Sequence, residues 1–246
     1  MEQGLISLDF GNSNPHAGFF KKRNQSWELV KVCRLNEFKE VAEQLHFSPH
    51  NAQLILSEVK SYDTELFELQ SEGYLLTRVK DYWRGERFAG MPVNYTKSLG
   101  EDRLISSFWA YKNLKRPTLI IDSGTYLTID VVTPSGFQGG YIIPSQQSYF
   151  DTFKNAQNLK DVDLKEKAVF AFPHNTEDAM IGGYHAFLLL GEKLISDFNI
   201  ETIIISGGRN QIWDEWSKTQ NCEVLHKPHL VHKALVHWMT TQVEIS

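Results

Sequence analysis

One device occurs twice in this chain, and that repeat limits the possible folds more than any other feature. In the stretch 118–144, TLIIDSGTYLTIDVVTPSGFQGGYIIP, the apolar run Leu119-Ile120-Ile121 stops at Asp122-Ser123-Gly124-Thr125. Leu127, Ile129 and Val131 then alternate with Thr128, Asp130 and Val132, which is the period of a strand. Pro134-Ser135-Gly136 supplies hairpin chemistry: Pro presets one dihedral and Gly permits the next. The stretch 4–20, GLISLDFGNSNPHAGFF, runs the same way, with an apolar strand to Asp9, then Phe10-Gly11-Asn12-Ser13, then a return strand. Asp9 and Asp122 stand 113 positions apart, each followed by any residue, then Gly, then a small polar residue. The pattern predicts an internal duplication, with two halves built alike.

Asp-x-Gly-[Asn/Thr] between two strands suits a phosphate cradle. Gly lets the backbone approach an anion without a Cβ in the way, and backbone N–H groups with Asn, Ser or Thr side chains donate to phosphate oxygens. A carboxylate beside phosphate implies an intervening cation. One copy alone is equally an ordinary tight hairpin using Asp and Gly for turn geometry. Two copies in matching context favour nucleotide binding.

Composition excludes several classes. The chain has 246 residues, 41% hydrophobic and 22% charged, with a formal net charge of −5, which argues against a nucleic-acid partner. No apolar run approaches the roughly 20 residues of a membrane span, and the N-terminal MEQGLISLDFGN lacks the basic and apolar regions of a signal peptide. Cys33 and Cys222 have neither metal nor redox spacing. A soluble cytoplasmic protein is expected. P-loop, G-x-G-x-x-G, G-x-S-x-G and H-E-x-x-H patterns are absent.

Between the two copies, a strand is expected over 26–35, a helix over 37–45 capped by Asn36, a strand at 54–56, a helix over 64–70 and a strand over 74–79. A sheet flanked by helices fits this order. The aromatic-rich loop 81–95 reads as packing. Gly100-Glu101-Asp102-Arg103 then opens a helix to about Leu114. Its carboxylate is favoured by the helix N-terminus and its Arg offers a bidentate grip on an anion, although simple capping by Asp102 would use the same residues. Lys115-Arg116-Pro117 marks a boundary between domains 1–115 and 116–246. In the second half, Gly139-Gly140 predicts a bulge or close approach. The polar stretch 145–167 is expected to be partly helical. Asn175 or Thr176 would cap one long helix over 179–198, with Gly182-Gly183 marking close packing or ligand approach. The strand 202–206 enters Gly207-Gly208, a place for adenosine against bare backbone. A helix over 230–242 closes the chain. His229 and His232 stand at i, i+3 without an acidic or Cys companion, so no metal site is expected.

Seven segments in order carry a resemblance across nearly the whole chain: LDFGNSN at 8–14, LGEDR at 99–103, DSGTYLTIDVV at 122–132, GGYIIP at 139–144, NTEDAMIGG at 175–183, ISGG at 205–208 and PHLVHKAL at 228–235. Together they resemble type III pantothenate kinases, of the actin/sugar-kinase/Hsp70-like superfamily. The resemblance implies an α/β fold of two similar ribonuclease-H-like (actin-like ATPase) domains, each a mixed sheet flanked by helices. It implies ATP-dependent phosphorylation of pantothenate to 4'-phosphopantothenate, the first step of coenzyme A synthesis, by a homodimer whose active site lies at its interface. Asp102 would be the general base, with Gly100, Arg103 and Thr176 holding pantothenate. Asp9, Gly11, Asn12 and Ser13 would position the ATP phosphates and Mg²⁺; Gly124, Thr125, Gly207 and Gly208 would complete ATP binding. Asp122 would lie near a monovalent cation, K⁺ or NH₄⁺.

The sequence departs from the family at several positions. Tyr126 stands where Ala is usual, Ser145 where Gly follows the Pro, and Val93 and Thr96 where Tyr and Pro precede the Gly-x-Asp-Arg motif; the family's Leu-Pro has its nearest counterpart at Leu159-Lys160. A family member with a changed substrate, or one with a non-catalytic regulatory or accessory role, is the alternative.

Overall fold

A computed structural model describes residues 3–11, 15–60, 62–154, 172–208 and 211–243. Asn12, Ser13, Leu159-Lys160 and the part of the polar stretch from 155 to 167 fall outside the described residues. The chain forms two compact units, one of residues 1–113 with 229–246 and one of residues 114–228.

The first unit begins with three antiparallel strands, β1 (Gly4–Phe10), β2 (His16–Arg23) and β3 (Ser26–Arg34). A 3₁₀ turn at Leu35–Glu37 leads into α1 (Phe38–Gln44). Asn36 therefore does not cap this helix. The turn is instead held by the Arg34 N–H donating to the Glu37 carboxylate at 3.0 Å. β4 (Ala52–Glu58) pairs parallel to β1, α2 (Asp63–Ser71) follows, and β5 (Leu76–Arg78) pairs parallel to β4. The sheet order is β3-β2-β1-β4-β5. Alternation along the strands sends Ile6, Leu8, Phe10, Leu54 and Leu56 to one face, where they join Phe38 and Val41 of α1 and Leu66 and Leu69 of α2.

The loop 81–95 contains a short hairpin of β6 (Arg87–Phe88) and β7 (Met91–Pro92), with Phe88 and Met91 fully buried. Its expected packing role thus holds for Phe88, whereas Tyr95 is exposed. α3 (Glu101–Asn113) buries Leu104, Ile105 and Phe108.

The second unit repeats the plan. β8 (Thr118–Ser123), β9 (Tyr126–Thr133) and β10 (Gly136–Pro144) form an antiparallel meander. β10 carries a register shift between Phe137 and Gly139, the bulge expected at the Gly pair. A Cβ on Gly140 would stand 2.1 Å from the Ile129 carbonyl oxygen, so only Gly fits there. α4 (Gln146–Asp151) is the described helical part of the polar stretch. The single long helix expected over 179–198 is two, α5 (Thr176–His185) and α6 (Leu188–Phe198). The Gly pair lies inside α5, and the break comes after it at Ala186-Phe187, where the Phe187 N–H donates to the Tyr184 carbonyl three residues back at 3.0 Å and the Leu190 N–H to the Phe187 carbonyl at 3.0 Å, a tighter turn than the α-helix makes. Gly183 instead admits Tyr149, whose Oη would lie 2.5 Å from any Cβ placed there. β11 (Thr202–Gly207), α7 (Gln211–Thr219) and β12 (Glu223–His226) complete the order β10-β9-β8-β11-β12. The sense of every strand pairing matches the first unit. Trp213 and Trp216 of α7 and Leu188 and Leu194 of α6 pack on Leu119, Ile121, Ile129, Ile203 and Ile205.

One division differs from the expectation. The closing helix, α8 (Leu230–Val243), belongs to the first unit, not to a domain 116–246. It packs on α3, β1 and β4. Sequence order alone cannot reveal this return, because an amphipathic helix fits either sheet. What seats it is specific: His232 is buried and its Nδ1 lies 2.8 Å from Ser7 Oγ. Ser7 Oγ also lies 3.2 Å from the Gly18 carbonyl oxygen, so the hydroxyl links α8 to β2. Burial keeps this imidazole neutral, with its pKa lowered to about 3. A Cβ on Gly18 would meet Ser7 Oγ at 2.7 Å and His232 Nδ1 at 2.9 Å. Gly18→Ala is therefore expected to lower stability by about 1–3 kcal/mol through overpacking, read as a lower urea midpoint at unchanged slope. An unaltered midpoint would show that α8 is not seated through this contact.

Candidate active site

In the first unit, Asp9 is the penultimate residue of β1, and its backbone pairs with Ser57 on β4 and His16 on β2. Two bonds tie the following turn to the chain leaving β4, and a third ties the end of β4 to α3. The Val59 N–H donates to the Phe10 carbonyl at 3.0 Å, the Tyr62 hydroxyl donates to the Gly11 carbonyl at 3.3 Å, and the Glu58 N–H donates to the Glu101 carboxylate at 3.0 Å. The third bond brings the Gly-Glu-Asp-Arg corner to the same sheet end as Asp9. Among the described residues, leaving aside its chain neighbours, no heavy atom lies within 4 Å of the position a Cβ would take on Gly11.

Each residue of that corner has a definable job. The Gly100 carbonyl accepts the first helical bond of α3, from the Leu104 N–H at 3.0 Å. Asp102 folds back so that its Oδ1 accepts its neighbour Arg103's N–H at 2.8 Å. A Cβ on Gly100 would stand 2.5 Å from that oxygen, so Gly is what lets the carboxylate adopt this pose. Burial raises the Asp102 pKa against the opposing pull of the Arg103 N–H and guanidinium. Arg103 is buried to 6% exposure, with its guanidinium 5.5 Å from the Tyr95 ring centroid. Thus Asp9, Gly11, Gly100, Asp102 and Arg103 are brought together at one end of one sheet.

The sequence does not mark Glu101, because the variable position of a Gly-x-Asp-Arg motif carries no signal of its own. It is 7% exposed. Burial raises its carboxyl to about 7, opposed by the Glu58 N–H and the Lys80 charge. Glu58 in turn pairs with Lys80 at 2.6 Å and lies 3.7 Å from Arg78.

The second unit places Asp122 likewise as the penultimate residue of β8, paired with Ser206 on β11. Gly207 has φ +81°, and a Cβ there would meet the Ser123 carbonyl oxygen at 2.3 Å and Asp122 Oδ1 at 2.5 Å. The Gly208 N–H donates to the Ser123 carbonyl at 2.7 Å. Asp122, Gly207 and Gly208 are therefore one cluster. Beyond them, Gly124 and Thr125 are exposed, and the Gly124 N–H donates to the Tyr126 carbonyl at 2.9 Å. Ser148 Oγ donates to the Thr125 carbonyl at 3.2 Å, and Ser145 Oγ accepts from the Ser148 N–H at 3.2 Å. Ser145 thereby caps α4 and supports the loop. Tyr126 is 50% exposed, so its ring is not a core filler. Thr176 lies apart from this cluster in the chain, exposed at the start of α5, with Asn175 as the cap accepting from the Asp178 N–H at 2.8 Å. Asn12 and Ser13 lie outside the described residues.

Two outcomes follow from this geometry. Gly207→Ala should cost about 1–3 kcal/mol of strain and displace the Asp122 carboxylate; thermal melting and nucleotide titration would both register it, and a wild-type response in both would break the link. Glu101 is raised from 4.5 to about 7 on folding, so its stabilising contribution is complete below pH 4.5 and is lost as pH rises through 7. Glu101→Gln lacks that loss. Its unfolding free energy relative to the parent should rise between pH 5 and pH 8, by up to about 3 kcal/mol, and a pH-independent difference would refute the shift.

The type III pantothenate kinase family profile matches residues 5–197. A type III pantothenate kinase of Thermosipho africanus is 23% identical over 228 residues, covering 86% of this chain and 82% of that protein. One from Campylobacter hominis is 27% identical over 216 residues, covering 87% and 89%. Among solved structures, a Campylobacter jejuni protein described as a Baf family transcriptional activator superposes with a TM-score of 0.63 at 19% identity, covering 97% of this chain and 99% of that one. A Sinorhizobium meliloti protein described as a 2-dehydro-3-deoxygalactonokinase gives 0.58 at 11% identity, covering 97% and 99%. At such identities the structures speak for the fold alone, the two-domain actin-like ATPase fold. With the family profile spanning more than half of its length, the chain belongs to the type III pantothenate kinase family.

Proposed function

We propose that this protein transfers the γ-phosphoryl group of ATP to the terminal hydroxyl of pantothenate, as a cytoplasmic homodimer. The observation that carries the reading is the Gly-Glu-Asp-Arg corner. Its aspartate is raised in basicity by burial, aimed by its own helix N-terminus, and tied to the strand end that bears Asp9. Phosphoryl transfer asks mainly for positioning, charge neutralisation and an in-line hydroxyl. A carboxylate more basic than usual suits removal of the hydroxyl proton.

The other residues take matching roles. Arg103, steadied by Tyr95, grips the pantothenate carboxylate, with Gly100 leaving the approach open. Asp9 and Gly11, with Asn12 and Ser13, are the phosphate and Mg²⁺ device of the first unit. Gly124 and Thr125 are that of the second, with Asp122 beside a monovalent cation and Gly207-Gly208 offering bare backbone to adenosine. The fit rests on Gly11 and Gly124, at whose Cβ positions no side chain among the described residues crowds within 4 Å, and on the penultimate carboxylate of each first strand. ATP supplies the phosphoryl group and Mg²⁺ neutralises its charge. Thr176 is exposed in the single chain, which suits a substrate contact completed in a homodimer. The net charge of −5 speaks against a nucleic-acid ligand, and no helix among the described residues is long and apolar enough to cross a membrane.

A kinase for another small hydroxyl compound is the second reading. It is favoured by the positions where the family has Tyr and Pro: Val93 is buried, and Thr96 Oγ1 is engaged with Ser98 Oγ at 2.7 Å.

Purified protein with ATP, Mg²⁺ and K⁺ should release ADP only when pantothenate is added. Asp102→Asn should abolish all but about one hundredth to one ten-thousandth of turnover with ATP affinity nearly unchanged; full turnover in that variant would remove Asp102 from the base role. Asp122→Ala should weaken ATP binding and its cation dependence. ATP binding without pantothenate-dependent release would favour the second reading.

A further inference from the structure

The strand pairing of the first unit leaves a backbone donor to be satisfied at the sheet end that carries Asp9. β4 runs from Ala52 to Glu58, but β5 pairs with it only from Leu54 to Leu56. The N–H groups of a strand point alternately to its two neighbours. On β4 the Leu54 N–H points to the β5 side, where it donates to the Leu75 carbonyl at 2.9 Å. The Glu58 N–H points the same way, beyond the last pair of that ladder, Leu56 with Arg78. The Glu101 carboxylate takes the place of the missing strand and accepts this N–H at 3.0 Å.

What lies on either side of this bond gives it a consequence. Glu101 opens α3 and directly precedes Asp102. Next to Glu58, the Val59 N–H donates to the Phe10 carbonyl at 3.0 Å, and Phe10 stands between Asp9 and Gly11. A run of peptide bonds and hydrogen bonds thus leads from Asp102 to the turn after β1, with the Glu101 side chain as a link in it. A carboxylate that served only the helix N-terminus could stay in water, whereas this one is 7% exposed. Burial and the Glu58 and Asp81 carboxylates raise it to about 7, against the Glu58 N–H and the Lys80 charge. Neutral or ionised, the carboxyl keeps an oxygen lone pair for the N–H, so the link survives titration.

We propose that Glu101 is a positioning residue of the phosphoryl transfer: through its bond to the Glu58 N–H it holds the start of α3 at the strand end, and so sets where the Asp102 carboxylate stands relative to the turn after β1. This rests on the reading of Asp102 as the base. Its signature is a split between binding and turnover. Nucleotide binding uses the turn, whereas turnover also needs the base within reach of the acceptor hydroxyl, and a misplacement of about 1 Å costs about a hundredfold. Loss of the bond therefore lowers kcat and spares the affinity for ATP.

Three substitutions in the full chain test it. Glu101→Ala removes the acceptor. Glu101→Asp keeps a carboxylate but withdraws it by one methylene, and serves where Glu101→Ala does not fold. Glu101→Gln keeps the length and an acceptor oxygen without the titratable group. With ATP, Mg²⁺, K⁺ and pantothenate, Glu101→Ala and Glu101→Asp should lower kcat about tenfold to a hundredfold, with the KM for ATP changed less than about twofold; Glu101→Gln should keep kcat within about threefold of the parent. A second readout needs no substrate. With ¹³C-labelled aspartate carboxyls followed by NMR, Asp102 should titrate above the usual aspartate range in the parent and in Glu101→Gln. In Glu101→Ala and Glu101→Asp it should fall back toward that range as water reaches it. An unchanged kcat in Glu101→Asp, an equal loss of kcat and ATP affinity, a Glu101→Gln as impaired as Glu101→Asp, or an Asp102 titration indifferent to all three substitutions would each overturn the proposal. If the parent itself releases no ADP with pantothenate, the pantothenate reading fails, and the Asp102 titration alone decides the role of Glu101.

Discussion

The parallel pairing of first and fourth strands is the constraint on which the rest of each unit depends. β1 can be joined to β2 by a tight turn, but its other neighbour, β4, must run the same way. Both parallel strands then end on the same side of the sheet, and each turn out of the sheet is made there. In both units a penultimate Asp stands opposite a Ser of the fourth strand: Asp9 with Ser57, Asp122 with Ser206. Open-sheet proteins place ligands outside the carboxyl ends of their strands for this reason. The carboxylates are where the topology makes a crevice possible.

What converts a strand end into a site is a small set of close approaches that only glycine tolerates. Gly100 gives the Asp102 carboxylate room to turn back on its own helix, and Gly207 lets the backbone pass beside Asp122 and the Ser123 carbonyl. The Glu58–Glu101 bond joins two segments 43 positions apart and so fixes α3 against β4. A buried carboxyl that titrates near 7 is an unusual strut. Its cost is tolerated because the bond it accepts would otherwise leave a backbone N–H without a partner.

Departures from the family pattern find physical accounts one at a time. Ser145 is a helix cap whose partner Ser148 steadies the Thr125 loop. Tyr126 faces solvent instead of filling a core. Val93 sits in the interior, and the nearby aromatic that meets the motif's Arg is Tyr95. The long helix expected over 179–198 breaks at Ala186-Phe187, where backbone N–H groups turn to carbonyls three residues back, while Gly183 inside α5 makes room for Tyr149.

The sequence by itself determined the duplication, the strands of both five-stranded sheets, the Asp-x-Gly turns and the Gly-Glu-Asp-Arg corner. All of these rest on local periodicity and on residues whose backbone or charge has few alternatives. Only the tertiary structure decided that α8 returns to the first unit, because its choice depends on a buried His232 meeting Ser7 across 225 positions of chain. The same holds for Glu101, whose function comes from burial against a distant strand end. Pattern is a property of neighbours along the chain, whereas burial and charge environment are properties of neighbours in space.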